Sequence, residues 1–296
     1  MIDTTCECSK MKLAFEVHVP LTDRRTDLAP VLLIHGMMES RRTWKNVAPY
    51  IASYTKRKVL AVDLRNHGET AWSKELNFEV MREDIEEFLS YHNIPKAIVI
   101  GHSLGGIIAM SFALKYPHKV EMLILEDTYT KKLKPAPDGV VAQLLNGGRE
   151  ALNVVPEGAD LTTAKECIRK FLFNLCPEEL ADKSKEENYS LDMMPFTIRG
   201  NSIQWQGDLE GLFDMVSTNK IEHELNGVYG GDTMFLYGSL SFYKIYKDKR
   251  IPQLFPKAIL RKVEGASHFI HSEKPDIFVN EVVNFIQEHT ENKSKY

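Results

Sequence analysis

Between residues 31 and 127 short apolar runs alternate with amphipathic stretches. Val31–Ile34, Lys58–Val62, Ala97–Ile100 and Val120–Leu125 are rich in β-branched and apolar residues. Such runs read as strands covered on both faces. Between the first two, Trp44, Val47, Ala48, Ile51 and Ala52 fall at i, i+3, i+4, i+7 and i+8. Phe78, Met81, Ile85, Phe88 and Leu89 line one face of a second helical stretch. Ser40 or Thr43 predicts the cap of the first helix and Asn77 that of the second. Pro49 falls early in its helix, where a missing N–H costs least. A third helix opens at Gly105 and runs to Tyr116. Strand, helix and short loop in repetition predict a parallel sheet with helices on both faces, an α/β fold. Ahead of it, Met11 to Val19 alternates through Leu13, Phe15, Val17 and Val19, which predicts a half-exposed strand.

The alternation stops at Thr128. From there to about Asn226 the chain is polar and irregular. Ala164, Ile168, Phe171, Leu172 and Leu175 form its clearest amphipathic segment, with Thr163 and Glu166 spaced as a capping box. Strand patterns resume at Asp232–Tyr237 and Ala258–Val263, and Pro275–Ile286 predicts a last helix. The expected organisation is a core of residues 11–127 and 230–290 with a helical cap, 128–229, inserted into it. Residues 1–10 and 291–296 are expected to be flexible ends.

Composition narrows the function classes. The 296 residues suffice for one large α/β domain with an insertion. Lys and Arg number 37 against 41 Asp and Glu, a balance of −4 that argues against a nucleic-acid partner. No apolar run approaches the roughly 18 residues of a membrane span. The four cysteines, Cys6, Cys8, Cys167 and Cys176, are few for this length and suit a reducing compartment. Cys6-Glu7-Cys8 supplies two ligands, too few for a metal site.

The chemistry gathers at Gly101-His102-Ser103-Leu104-Gly105-Gly106. A G-x-S-x-G between an apolar strand and a helix predicts a serine on a tight, strained turn. That turn lifts the hydroxyl above the sheet edge and aims the helix start at a developing oxyanion. No P-loop lysine follows, which disfavours a nucleotide site. A serine hydroxyl needs a base. His268 lies after the last strand and before the last helix, on the edge where parallel strands end. His271 is its nearest rival and is expected to face solvent or the helix start at Glu273-Lys274-Pro275. His102 is expected to be a packing or substrate-facing neighbour. His35-Gly36 ends the first parallel strand. The amides of Met37 and Leu104 are therefore the expected oxyanion donors. Phe171, Met193, Met194, Phe196, Trp205 and Phe213 exceed what the sheet core can absorb, and several are expected to line an apolar acyl pocket.

The motifs Leu33-Ile34-His35-Gly36, Asp63-x-Arg65-Asn66-His67-Gly68, Gly101–Gly106 and Gly265-x-x-His268 together resemble the α/β-hydrolase superfamily. The Arg-Asn-His-Gly loop resembles the esterase branch that includes alpha/beta hydrolase domain-containing protein 11 and small bacterial esterases. The resemblance covers roughly residues 30–128 and 230–288 and implies a serine hydrolase acting on acyl esters or thioesters without a cofactor. Its small-molecule substrate would be the main partner; oligomeric state is left open. The Arg65–Gly68 loop has two readings, a self-bonded brace or a substrate contact. In many members the acid follows the strand after the cap, but that position falls near Ser241, with no carboxylate. Asp127 ends the strand after the nucleophile helix and reaches the same edge; the resembled branch carries Asp there. The alternatives are Glu210 and Asp214, since a cap residue aligned with Glu210 has been proposed as the acid in such enzymes. A rival function is a non-catalytic ligand-binding or enzyme-complex partner protein. The branch is usually mitochondrial in animals, whereas Asp3, Glu7 and the absence of Arg in the first ten residues resemble no presequence. The expectation is a cytoplasmic protein, or a mitochondrial one if a presequence is missing.

Overall fold

Seven strands form one sheet in a computed structural model that describes residues 11–20, 25, 27–175, 195–199 and 202–293. The strands are β1 (Phe15–His18), β2 (Val31–Ile34), β3 (Val59–Val62), β4 (Ala97–His102), β5 (Val120–Glu126), β8 (Asp232–Gly238) and β9 (Ala258–Val263). Their order is β1-β3-β2-β4-β5-β8-β9. β1 runs antiparallel to β3 and every other pair is parallel. β6 (Phe196–Arg199) and β7 (Ser202–Trp205) pair as a separate antiparallel hairpin.

The continuous apolar runs follow from burial on both faces. Leu32, Ile34, Val99, Leu123 and Leu125 point to one side, against α2 (Phe78–Tyr91) and α3 (Leu104–Lys115). Val31, Leu33, Ile98, Ile100, Met122 and Ile124 point to the other, against α1 (Ala48–Thr55) and α9 (Pro275–Lys293). Each such side chain, fully buried, contributes about 1.5–3 kcal/mol. Parallel register brings Ile34 beside Gly101 and His102 beside Glu126, so the loops leaving β2, β4 and β5 converge on one edge.

Several elements differ from the sequence reading. β1 spans only Phe15–His18, because it is an edge strand paired with β3 alone. Trp44 and Val47 precede α1: a 3₁₀ turn at Arg41–Trp44 is capped by Ser40, and Pro49 stands in the first turn of α1. α9 continues to Lys293, into the expected tail. Between β5 and β8 lie α4 (Val140–Glu150), α5 (Leu161–Leu175), the hairpin, and α6 (Leu209–Ser217). The hairpin was hidden in sequence by a mostly polar background. Its ends are clamped by Phe196 on Trp205, ring centroids 4.0 Å apart, and by Trp205 Nε1 donating to Gly148 O at 2.7 Å. α5 begins at Leu161, three residues earlier than a Thr163 cap predicts. Asp160 accepts from the Thr163 amide at 2.7 Å, and Glu166 turns to Arg169 instead of closing a box. Cys6, Cys8, Cys176, Met193 and Met194 lie outside the described residues. No helix among the described residues is long and apolar enough to cross a membrane.

Candidate active site

Ser103 joins β4 to α3 with φ +50° and ψ −114°, a conformation that costs a non-glycine residue of order 1–3 kcal/mol. The turn closes only because its flanks are bare. A Cβ on Gly101 would lie 2.4 Å from Gly105 O, and one on Gly105 would lie 2.3 Å from Ile34 O. The strained residue is held from β5, where Glu126 O accepts its amide at 3.0 Å and the Thr128 hydroxyl donates to its carbonyl at 2.9 Å. Leu104 is the first residue of α3, so its amide belongs to the group that no helical carbonyl can satisfy.

Asp127 leaves β5 with φ +42°, a second non-glycine residue in the left-handed region. Its amide donates to Leu236 O at 2.8 Å, and its carboxylate is fully buried. His268 Nδ1 donates to Asp127 Oδ2 at 2.6 Å. Ser241 Oγ donates to the same oxygen at 2.6 Å. Tyr243 and Ser103 both line the same cleft. Burial, then Tyr129 and the Asp127 charge, raise the Tyr243 phenol well above its usual range and keep it neutral. The Tyr243 ring lies 5.1 Å from that of His268. A small cleft of about 70 Å³ opens at Ser103 and Asp127, with Met37 and Leu104 on its border. Its apolar wall is Phe78, Ile107, Leu133, Val141 and Ile221, and Thr128, Tyr129 and Tyr243 are its polar members.

Other expected residues lie elsewhere. Glu210 is on the exposed face of α6 in an ion pair with Arg149, and Asp214 bonds Lys220 at 2.5 Å near the surface. Neither stands beside His268. His102 does not line the cleft: its ring is buried behind the turn, bonded to Glu39 and to His268 O. Phe171, Phe196, Trp205 and Phe213 do not line it either. They pack into the hydrophobic cluster beneath the insertion, because the hairpin and α4–α6 need an interior of their own. His271, expected to face solvent or the helix start at Glu273-Lys274-Pro275, is buried against Glu126 and Thr43. The Arg65–Gly68 loop is a brace. Arg65 pairs with Asp84 at 2.5 Å, and Asn66 donates to Ser73 O and to Asp208, the N-cap of α6. Sequence reasoning missed Ser241, Tyr243 and the cleft wall. Ser241 carried one signal, its place near the position where the resemblance led one to expect an acid.

The model of the alpha/beta hydrolase fold family matches residues 29–275. The chain belongs to this family. The alpha/beta hydrolase resembles "sn-1-specific diacylglycerol lipase ABHD11" from Danio rerio, with 29% identity over 96% of this chain and 86% of that protein. The protein of the same description from Mus musculus is 28% identical over 90% of this chain and 83% of its own length. Among solved structures, a "Marine microorganism esterase" superposes with a TM-score of 0.76, covering 93% of this chain and 99% of that one. At 22% identity that likeness speaks for the fold alone.

A second polar cluster lies behind the strained turn of this hydrolase. Ligand atoms of His102, Glu126 and His271 fall within 4.8 Å of one another, the one such grouping among the described residues. It does not fit a metal ion. A metal takes the lone pair of a neutral imidazole. Here His102 Nδ1 meets Glu39 Oε2 at 3.1 Å and Nε2 meets His268 O at 3.1 Å. His271 Nδ1 meets both oxygens of Glu126 at 2.9 Å and Nε2 meets Thr43 Oγ1 at 2.7 Å. Every ring nitrogen is already committed to a protein oxygen.

Proposed function

We propose that this chain is a serine esterase of carboxylic esters or thioesters, with Ser103, His268 and Asp127 as its triad. The reading rests on the 2.6 Å contact between His268 Nδ1 and Asp127 Oδ2 beside a serine held at positive φ. With Nδ1–H donated to Asp127, Nε2 carries the lone pair that takes the Ser103 proton. Oγ attacks the acyl carbonyl carbon, and the oxyanion falls to the amides of Met37 and Leu104. One such donor is worth about 10²–10³ in rate. Collapse expels the alcohol or thiol, which leaves with the proton held by His268. Water, deprotonated by His268, then cleaves the acyl-enzyme and frees Ser103. The acyl chain lies along Phe78, Leu133, Val141 and Ile221, a wall that suits short to medium apolar acids. Residues 11–127 and 230–290 are the core, and 128–229 form the cap or lid over it.

Turnover of p-nitrophenyl esters tests the reading, with Ser103→Ala as the blank. Hydrolysis is expected, and a fluorophosphonate should label Ser103 in folded protein only. No turnover across acetyl to octanoyl esters refutes it and favours a binding protein, and labelling that survives Ser103→Ala refutes Ser103 as the nucleophile.

A further inference from the structure

The polar cluster behind the nucleophile turn links every loop the proposed chemistry uses. Glu39 Oε2 accepts the amide of Gly36, in the loop that carries Met37, at 2.6 Å. The same oxygen accepts from His102 Nδ1, and His102 Nε2 meets the carbonyl of His268. The Thr43 hydroxyl lies 3.3 Å from Glu39 Oε1 and 2.7 Å from His271 Nε2. Glu126, one residue before Asp127, accepts from the His271 amide at 2.8 Å and from its ring.

Donor counting fixes the protonation. A carboxylate and a carbonyl only accept, so both nitrogens of His102 must carry hydrogen. The cluster thus sets a His102 imidazolium among buried carboxylates, sealed from water. Such a group is costly to open, because removing one member strands a buried charge.

We propose that His102, held as an imidazolium by Glu39, is a positioning residue that ties the backbone of the base His268 to the oxyanion loop at Gly36. The proposal rests on the esterase reading above for what is positioned, and on hydrogen-bond geometry for how. Facing His102 are Glu39 and His35 from the loop after β2, Glu126 and Asp127 from β5, and His268, Phe269 and His271 beyond β9. Burial works against its charge, but Glu39 and Glu126 outweigh burial and push the imidazole up to about 9. His102 therefore holds its second proton at neutral pH and loses it, with one of the two ties, as pH rises through about 9.

The test joins two measurements. Nitrogen-15 spectra of histidine-labelled wild-type protein, assigned by His102→Gln, should show His102 doubly protonated near neutral pH. The pH profile of kcat for an activated ester should fall above about pH 9. Glu39→Gln keeps the shape and an acceptor for Gly36 but removes the charge. It should move that alkaline limb down by about one unit or more, since one unit is 1.36 kcal/mol of lost attraction. His102→Gln should lower kcat about a hundredfold with KM little changed, the order expected for a misplaced group. A neutral His102, or an alkaline limb unmoved in folded Glu39→Gln, overturns the proposal. If wild-type protein turns over no ester, the functional reading falls, and the imidazolium is judged by the spectra alone.

Discussion

Glu126 and Asp127 are consecutive residues, and each holds a histidine from beyond β9. Glu126 binds His271 in α8 (Ile270–Glu273), and Asp127 binds His268 three residues earlier. Successive residues of a strand face opposite ways, and the left-handed turn at Asp127 sharpens the divergence. The chemistry of the two pairs is alike, and their surroundings are not. His271 is sealed, with Thr43 on its far nitrogen and Trp44 packed 4.6 Å from its ring. His268 keeps 15% of its side chain exposed and packs against Phe242 and against Tyr243, which lines the cleft. A carboxylate–histidine pair is thus a buried fastening or a candidate base according to what its second nitrogen faces.

Exchanging the roles in a mutant pair is the hardest test of that contrast. His268→Ala should lose on the order of 10⁶ in kcat, the scale for removing a triad base, with the fold retained. His271→Ala should instead leave Glu126 as a buried unpaired carboxylate and cost about 3–5 kcal/mol of stability. Urea unfolding and ester turnover on both variants decide it. A stable, inactive His271→Ala beside an active His268→Ala would reverse the assignment.

The acids sharpen the same contrast at smaller scale. Asp127→Asn should lose at least about a hundredfold in kcat, and up to about 10⁴ if the imidazole tautomer flips. Glu210→Gln and Asp214→Asn should each lose less than about tenfold, because both sit in exposed pairs worth about 0–1 kcal/mol. Steady-state kinetics on the three variants would sink the Asp127 assignment if Glu210→Gln were the crippled one.

What could be read from the sequence follows the same division. The strand runs, the turn at Gly101–Gly106 and the carboxylate at the end of β5 obey local rules, since burial and backbone strain write themselves into neighbouring residues. His271 could not be placed that way. Its burial depends on Thr43, 228 residues away, and Glu126, 145 away, and a lone histidine beside Ser272 and Glu273 carries no trace of either. The cleft wall was illegible for a related reason. Phe78 and Ile107 read as ordinary core positions of α2 and α3, while Leu133, Val141 and Ile221 come from a stretch without period. The aromatic residues that looked available for a pocket are consumed by the hairpin and its supports.

The smallest expected effect concerns Ser241, near the position where the resemblance led one to expect an acid. Asp127 Oδ2 accepts two short bonds, one from His268 and one from Ser241, both at 2.6 Å. Ser241 also receives the Tyr243 amide at 3.2 Å, so its hydroxyl links the carboxylate to the segment that carries the cleft tyrosine. Removing the hydroxyl leaves the His268 bond intact but takes one charge-assisted donor from a fully buried carboxylate, a contribution of about 1.5–3 kcal/mol. Part of that loss falls on folding, because the carboxylate is buried before substrate arrives. The part that reaches the rate is what the bond contributes to holding Asp127 against an imidazolium that exists only after Ser103 has given up its proton. Ser241→Ala should therefore lose about tenfold in kcat, equivalent to about 1.4 kcal/mol, with a modest fall in Tm. Ser241→Thr keeps the hydroxyl and should recover most of the rate if the methyl fits. A Ser241→Ala enzyme as slow as Asp127→Asn would mean that the serine, and not the bond from His268, holds the carboxylate in place.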